Sequence, residues 1–334
     1  MFTYLVKNVN LIRNMKHKID NYLKTRSLCV FIVFIFINIL ANLPYINLYA
    51  DIFSHFKLQY IIVNILFFVI FIYLSFNNKK FIVCGLISIL LICINFKDIT
   101  PYIGNTPKFE SKNTIKIALY NVLTQNKEYN KLTSQISSEM PDIIITQEVD
   151  YNWLKSINKL KKDYPYYIEH PRDDNFGIAL YSKFPLHNAS VENWTDYEVP
   201  VINTEIKISD KNIKLYCIHT LPPTSKEYLR IRNEMLKKIH DLKKENQNTP
   251  LIIAGDLNTT IYSFSYKKHI QSANFKEAQS IRKNIAGTWN SKFLPIFRIS
   301  LEHILVNSKL NVIEFKIGKY FGSDHLPIFV NIGF

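Results

Sequence analysis

Cysteine is scarce in this 334-residue chain: there are four, and Cys29, Cys84 and Cys93 lie inside long apolar runs. Cys217 stands alone in the remainder, so that part can close no internal disulfide, and no paired Cys or Cys/His spacing marks a zinc site. There is no internal repeat and no low-complexity tract, which leaves no basis for a repeat architecture. A dense basic and aromatic cluster of the kind that grips nucleic acid is missing too. What the chain does have is an uneven distribution. Apolar residues make up an ordinary 48% of it, but the long uninterrupted runs are gathered in residues 28–96. The length allows one large domain plus an appendage.

The net charge of +14 points at first to a polyanionic partner. Its placement argues otherwise. Residues 1–114 carry 12 Lys and Arg against 4 Asp and Glu, whereas residues 115–334 carry 29 against 23. More than half of the excess therefore flanks the apolar third, where it speaks of a membrane.

Residues 1–27 form a basic tail with Lys7, Arg13, Lys16, Lys18, Lys24 and Arg26. Three apolar runs follow at about 28–50, 58–76 and 81–96, against a hydrocarbon core that needs about 20 residues. The first is too long for a cleaved signal peptide, and two more come after it. The basic tail and Lys79–Lys80 belong on the cytoplasmic side, which gives an N-inside anchor (28–96) of about three spans. Three is odd, so the chain beyond it would lie outside the cytoplasm. The third run, at 16 residues, is the short one; as a re-entrant segment it would return the domain to the cytoplasm. Residues 97–114 read as a Pro-, Gly- and polar-rich linker.

In residues 115–334 strand and helix signals alternate early, and hairpin-like strands come late. Strands are expected at 115–120, 142–146, 176–182, 201–208, 213–219, 251–255, 303–306, 311–317 and 326–332. Helices are expected at 127–140 (Leu132, Ile136 and Met140 inward), 150–161 (Trp153, Leu154, Ile157 and Leu160 inward) and 225–245. The last carries a Thr224–Glu227 capping box and the stripe Tyr228, Ile231, Met235, Ile239 and Leu242. This is a mixed pair of sheets with helices outside.

The polar residues follow a pattern. Asn121 follows "IKIALY", Glu148 follows "DIIITQ", His219 follows "IKLYCI", and Asp256 with Asn258 follows "LIIAG". Each stands at the carboxyl end of an apolar strand, where open α/β sheets place ligands. Asp324 and His325 precede the last strand and join the same rim if that strand runs antiparallel. Glu302, in "SLEHILV", is a further acid. Taken singly, an Asp or Asn after a strand is turn chemistry, but that account must be invoked at six strand ends.

The ordered segments "NVLTQN", "PDIIITQEV", "FGIALYSKFPL", "IHTLPP", "IIAGDLN", "LEHILV" and "GSDHLPI" resemble the endonuclease/exonuclease/phosphatase superfamily, the deoxyribonuclease-like metal-dependent phosphoesterases, over essentially all of 115–334. The front resembles membrane-anchored bacterial members, some associated with lipid-carrier phosphates and glycopeptide resistance. The resemblance implies a four-layer α/β sandwich, two packed mixed sheets with outer helices, preceded by the α-helical anchor. It implies that Glu148 holds Mg²⁺ (Mn²⁺ as substitute), with Asn121 beside it and Asp324 assisting the metal or His325. Asp256 would orient and activate the attacking water, Asn258 would bond that water or a phosphate oxygen, and His219 and His325 would donate to phosphate oxygens. Glu302 stands where the family has Asp, the group that orients the last histidine; on this reading Glu302→Asp keeps or raises hydrolysis. Arg172 is a secondary candidate for gripping phosphate, with Asp173 and Asp174 offering a surface ion pair instead.

The reading that results is an integral membrane phosphoesterase of the bacterial cytoplasmic membrane, its catalytic domain outside. Its expected partners are the bilayer and a phosphate-ester substrate, lipid-linked phosphate or pyrophosphate or a phosphodiester head group. A nuclease is the second choice and a non-catalytic scaffold the third.

Overall fold

The computed structural model describes residues 2–43, 47–103, 111, 113–208, 210–279 and 286–334. In the first helix, side chains are described only at 15, 18–19, 21–22 and from 24 onward. The chain divides into two compact units: Met1–Tyr45 with Phe56–Thr100, and Ile46–His55 with Pro101–Phe334.

The first unit is helical: α1 (Phe2–Ala41), then, after a short helix α2 (Leu48–Ser54) that belongs to the second unit, α3 (Lys57–Ser75) and α4 (Phe81–Ile99). Among the described residues three helical stretches are long and apolar enough to cross a membrane: Lys24–Ala41, Lys57–Ser75 and Phe81–Tyr102. Phe31, Phe67, Phe71, Leu74, Phe81 and Leu91 form the contact between these helices. At one end sits a polar lock: Asn95 Nδ2 donates to Asn38 Oδ1 (2.7 Å), Lys57 Nζ donates to Asn42 Oδ1 (2.9 Å), and Lys57 is paired with Asp98. Polar side chains at apolar-helix contacts find partners in one another because the apolar surroundings offer none.

Two expectations for this region are corrected. The run 28–50 is not one span: α1 stops at Ala41, Pro44 lies among residues outside the description, and α2 begins afresh with Asn47 as N-cap. The third run is longer than the expected 16 residues, because Lys97 and Asp98 continue α4 to Ile99. Of the linker expected over 97–114, residues 104–110 and 112 lie outside the described residues.

The second unit continues as β1 (Thr114–Asn121), α5 (Tyr129–Glu139), β2 (Ile143–Gln147), α6 (Tyr151–Ile157), β3 (Tyr166–His170), β4 (Ile178–Ser182), β5 (Leu186–Asn193), β6 (Pro200–Ile208), β7 (Lys211–Ile218), α7 (Lys226–Glu245), β8 (Leu251–Asp256), β9 (Lys276–Glu277), β10 (Glu302–Val306), β11 (Asn311–Ile317) and β12 (Ile328–Gly333). The described strands make two six-stranded sheets, ordered β11-β12-β1-β2-β4-β3 and β5-β6-β7-β8-β10-β9. Each has one parallel pair at its centre, β1 with β2 and β7 with β8, and antiparallel neighbours elsewhere. Both sheets are therefore mixed, as expected.

The crossovers explain the layers. α5 joins β1 to β2 and α7 joins β7 to β8, since parallel neighbours need a long connection. Strands buried on both faces read as continuous apolar runs rather than alternating ones, and "IIITQ" and "LIIAGD" are buried at every position. Ile115, Ile117, Leu119, Ile143 and Ile145 of one sheet meet Leu215, Cys217, Ile252, Ala254 and Ile304 of the other in one core. On the outer face of the first sheet, Ala118, Tyr120 and Ile144 meet Leu132, Ile136 and Trp153 of α5 and α6.

Local expectations are corrected where chain ends decide. Met140 is not on the buried face of α5: it is the left-handed C-cap (φ 45°) and 69% exposed. The helix expected over 150–161 ends at Ile157 and continues as a tighter turn, Asn158–Lys162. The cap of α7 is Ser225, whose Oγ accepts from the Tyr228 N–H (3.1 Å), and Glu227 turns instead to Arg230. The strands without a sequence expectation, β3, β5 and the two-residue β9, lie at sheet edges, where exposed faces relax the apolar alternation.

Candidate active site

The rim gathers at the carboxyl ends of the two parallel pairs. Asn121 closes β1, Glu148 follows β2, His219 follows β7, and Asp256 closes β8. β10 runs antiparallel with Glu302 opposite Asp256, and β12 runs antiparallel to β1, so its preceding loop brings Asp324 and His325 to the same edge. The conditional expectation for the last strand is met.

Gln147 ties the two sheets together beneath this rim. Fully buried, it donates from Nε2 to Ile218 O (2.7 Å) and accepts at Oε1 from the Asp256 N–H (3.0 Å). The approach is so close that a Cβ on Gly255 would fall 1.6 Å from Ile218 O, which is why glycine precedes the acid. Two rim residues adopt left-handed backbone conformations: Glu148 (φ 62°) and Asn258 (φ 45°). Glutamate rarely takes this region without compensation from its surroundings; here Thr124 Oγ1 donates to Glu148 O (2.9 Å).

The side chains converge. Asn121 Nδ2 donates to Glu148 Oε1 (2.8 Å) and to Asp256 Oδ2 (3.3 Å). The Asn258 N–H donates to Asp256 Oδ1 (2.8 Å), and Asn258 Nδ2 donates to Thr220 O (2.7 Å). His325 Nδ1 is bonded to Glu302 Oε1 and lies 3.6 Å from Asp256 Oδ2. Its backbone N–H donates to Ser323 Oγ (3.0 Å), which in turn donates to Asn121 O (2.8 Å). Trp289 Nε1 donates to Asp324 Oδ2 (3.0 Å), and Asp324 Oδ1 stands 4.0 Å from His325 Nε2. His219 is buried beside Phe176, with ring centroids 5.4 Å apart.

Burial dominates the electrostatics. It raises the Asp256 carboxyl, against the pull of His325, while the charges of Glu302 and Glu148 add to the rise. It also raises Glu148, with Asp324 contributing. It lowers His219 to about 3, helped by His325, so this imidazole is neutral at physiological pH. For His325 burial works against the charge, but Glu302, Asp256 and Asp324 together outweigh it and raise the group.

Would a divalent cation fit? Several carboxylates are held close together in a desolvated pocket, a set that repels itself unless a cation intervenes. Glu302 Oε2, Asp324 Oδ1 and His219 Nδ1 are buried with no hydrogen-bond partner. The set fits. Asp256, Glu302 and His325 have ligand-type atoms within 4.8 Å of one another, but His325 and Glu302 already satisfy each other. The expected oxygen donors, Glu148 and Asp324 with Asn121, stand on the same rim, and Asp324 Oδ1 has no hydrogen-bond partner.

Arg172 is not brought in. Its guanidinium donates to Asp174 Oδ1 (2.9 Å) and to Glu198 O (3.2 Å), so the surface ion pair is what forms. Glu302 is bonded to His325 through a fully buried carboxylate, and on this geometry we expect Glu302→Asp to lower hydrolysis rather than keep or raise it. A misplacement of about 1 Å can cost on the order of 100-fold. Glu302→Asp should therefore lower kcat by about 10- to 100-fold with the fold intact, a loss read by initial rates beside a thermal melt.

Sequence reasoning missed Gln147, Ser323 and His303. His303 Nδ1 meets Glu277 Oε2 (2.7 Å) and its Nε2 meets Thr259 O (2.8 Å). Both partners are acceptors, so both ring nitrogens donate and the ring is an imidazolium holding the loop after β8. The run "LEHILV" carried this residue, but a histidine inside a strand gives no sign of which loop it will meet.

No curated protein sequence matches the chain. Solved structures share the fold. An endonuclease/exonuclease/phosphatase family protein from Bacteroides thetaiotaomicron is 19% identical, over 67% of this chain and 98% of its own, with a TM-score of 0.54. The mannosyl-6-phosphatase of the same organism is 18% identical, over 66% and 100%, with a TM-score of 0.55. D. rerio TDP2, complexed with a single-strand DNA product, is 14% identical, over 67% and 100%, with a TM-score of 0.54. The model of the Endonuclease/Exonuclease/phosphatase family matches residues 118–325, from the middle of β1 to the rim histidine. With that match over more than half its length, the chain belongs to the endonuclease/exonuclease/phosphatase family, whose members are metal-dependent hydrolases of phosphoester bonds.

Proposed function

We propose that this chain is a membrane-anchored phosphoester hydrolase acting outside the cytoplasm on lipid-linked phosphates or pyrophosphates, or on phosphodiester head groups. One observation carries the reading: a buried rim of Asn121, Glu148, Asp256, Glu302 and His325 stands in the same chain as three helices long enough to cross a bilayer. A tether concentrates the site at the membrane surface, where lipid-linked esters are found.

On this reading Asp256 accepts the proton of the attacking water and Asn258 orients it. His219, neutral, and His325, charged, donate to the phosphate oxygens where negative charge builds. Glu302 keeps the His325 ring turned. Mg²⁺ or Mn²⁺ held by Glu148 and Asp324, with Asn121 beside them, would supply neutralisation of that charge.

The orientation has support of its own. Asp51, between the first two apolar helices, forms a buried ion pair with Arg232 of the catalytic unit, so that loop and the domain share one side of the bilayer. With a basic N-terminal tail inside, that side is outside. A compartment-sensitive reporter fused at residue 112 should register the outer side.

The full chain in detergent micelles with Mg²⁺ should release phosphate from a lipid-linked phosphate or pyrophosphate, and the rate should depend weakly on salt. Plasmid nicking that collapses steeply as salt rises, with no release from the lipid, would overturn this in favour of a nuclease.

A further inference from the structure

Between the first two apolar helices the chain makes a short excursion, Ile46–His55, that groups with the catalytic unit. Asp51 and Arg232, 2% and 0% exposed, are paired there. Arg232 Nη2 donates to Asp51 Oδ1 (2.7 Å) and Nη1 to Oδ2 (2.8 Å), a bidentate match, and Ser265 Oγ donates to Oδ1 (2.9 Å). A buried pair of this kind is weak evidence for stability, because desolvation offsets most of its attraction. Its geometry says more.

Arg232 Nη1 also donates to Asn258 O (3.0 Å). Four residues beyond Asp51, His55 Nδ1 lies 3.2 Å from the Thr260 N–H, and its Nε2 lies 3.2 Å from Asp51 Oδ2. The Thr260 N–H can only donate, so Nδ1 is the acceptor and the ring proton is on Nε2, given to Asp51. One tautomer satisfies both contacts. With His303 on Thr259 O, the backbone of residues 258, 259 and 260 is held at three successive places by three side chains. Two of those holds run back to the segment between the apolar helices. The Asn258 N–H, one peptide away, is the donor to Asp256.

We infer that Asp51 and His55 are positioning residues of the active site. Through Arg232 and directly, they fix the backbone of residues 258–260, which aims the Asn258 side chain and, by the Asn258 N–H, the Asp256 carboxylate. The short segment Ile46–His55, which precedes α3 in the chain, is thus a structural part of the catalytic unit. The catalytic part of this inference rests on the hydrolase reading above; the structural coupling does not.

Two substitutions at one position separate positioning from general support. In His55→Asn the amide oxygen takes the place of Nδ1 and still accepts from Thr260; His55→Leu removes the acceptor, and both lose the bond to Asp51. The full chain in detergent micelles, with Mg²⁺, is assayed on p-nitrophenyl phosphate and bis(p-nitrophenyl) phosphate, and amide hydrogen exchange is followed in parallel. His55→Leu should lower kcat by about 10-fold or more with KM within about twofold, and His55→Asn should restore most of it. Exchange in the 256–262 segment should quicken about 10-fold in His55→Leu alone, with α5 unchanged. Should His55→Leu lose the fold, Asp51→Asn, which keeps the shape and removes the charge, is read in the same way. Unchanged kcat and unchanged local exchange in these variants would overturn the inference, as would equal losses in His55→Leu and His55→Asn. If the unaltered chain hydrolyses neither ester, the hydrolase reading fails, while the exchange comparison still decides the coupling.

Discussion

Asp256→Asn should lower kcat by about 1,000-fold while leaving the fold and the melting temperature close to those of the unaltered chain. Asn keeps the shape and can still accept from the Asn258 N–H, but it cannot take the proton of an attacking water, and a positioned general base is worth about 100- to 10,000-fold. The pH profile gives a second readout. Burial raises the Asp256 carboxyl and outweighs the pull of His325, with the charges of Glu302 and Glu148 adding to the rise. A base that must be ionised then loses activity as pH falls, and at a higher pH than an ordinary carboxylate near 4 would. A divalent cation nearby shifts that limb back down. The measurement is kcat/KM against pH at two Mg²⁺ concentrations. An unaltered acid limb in Asp256→Asn would assign the base elsewhere.

Asp51→Leu should destabilise the catalytic unit by about 3–5 kcal/mol, because it strands the Arg232 cation without its counter-charge. For a domain of this size that is roughly a 10 °C fall in melting temperature. Asp51→Leu combined with Arg232→Met should recover most of the stability, since apolar replacement of both members of a buried pair is often neutral. It should not recover activity, because Asn258 O has then lost its donor. The pH sign follows from the same pair. Burial would raise Asp51, but Arg232 and His55 outweigh it and hold the carboxyl well below the usual range. Its contribution is present above pH about 4, the unfolded value, and is lost as pH falls further. Thermal melts of the purified full chain and of Asp51→Leu at pH 7, and again at pH of about 2, test both statements.

Much of the catalytic unit could be read from the sequence because burial leaves a local imprint. "DIIIT" and "LIIAG" lack alternation because both their faces are covered, and the polar residue after each run marks the rim. Glu302 and His325 were recognisable by motif, although only coordinates could show that Glu302 reaches the imidazole directly. β3 and β5 were not legible, because an edge strand carries no apolar pattern to read. Gln147 looked like the polar end of a strand; its function depends on the other sheet, more than 70 residues away. Arg232 was the least legible. It stands on α7 among surface lysines and arginines, and nothing local distinguishes it from them. Its partner at residue 51 lay inside what reads as a loop between spans, and a contact across 181 positions leaves no periodic trace.

The placement of α2 bears on how the enzyme could be shed or trimmed. A fragment starting beyond Thr100 would contain every side chain proposed for the reaction, yet it would expose the seat of Asp51 and leave Arg232 without that partner, so it should fold poorly or misplace the loop of Asn258. A protease that nicked the chain between the last apolar helix and β1 would not free the domain either, because the segment before α3 would still grip it. The domain is thus clasped to the apolar helices at two places in the chain, and one clasp lies under the loop of Asn258.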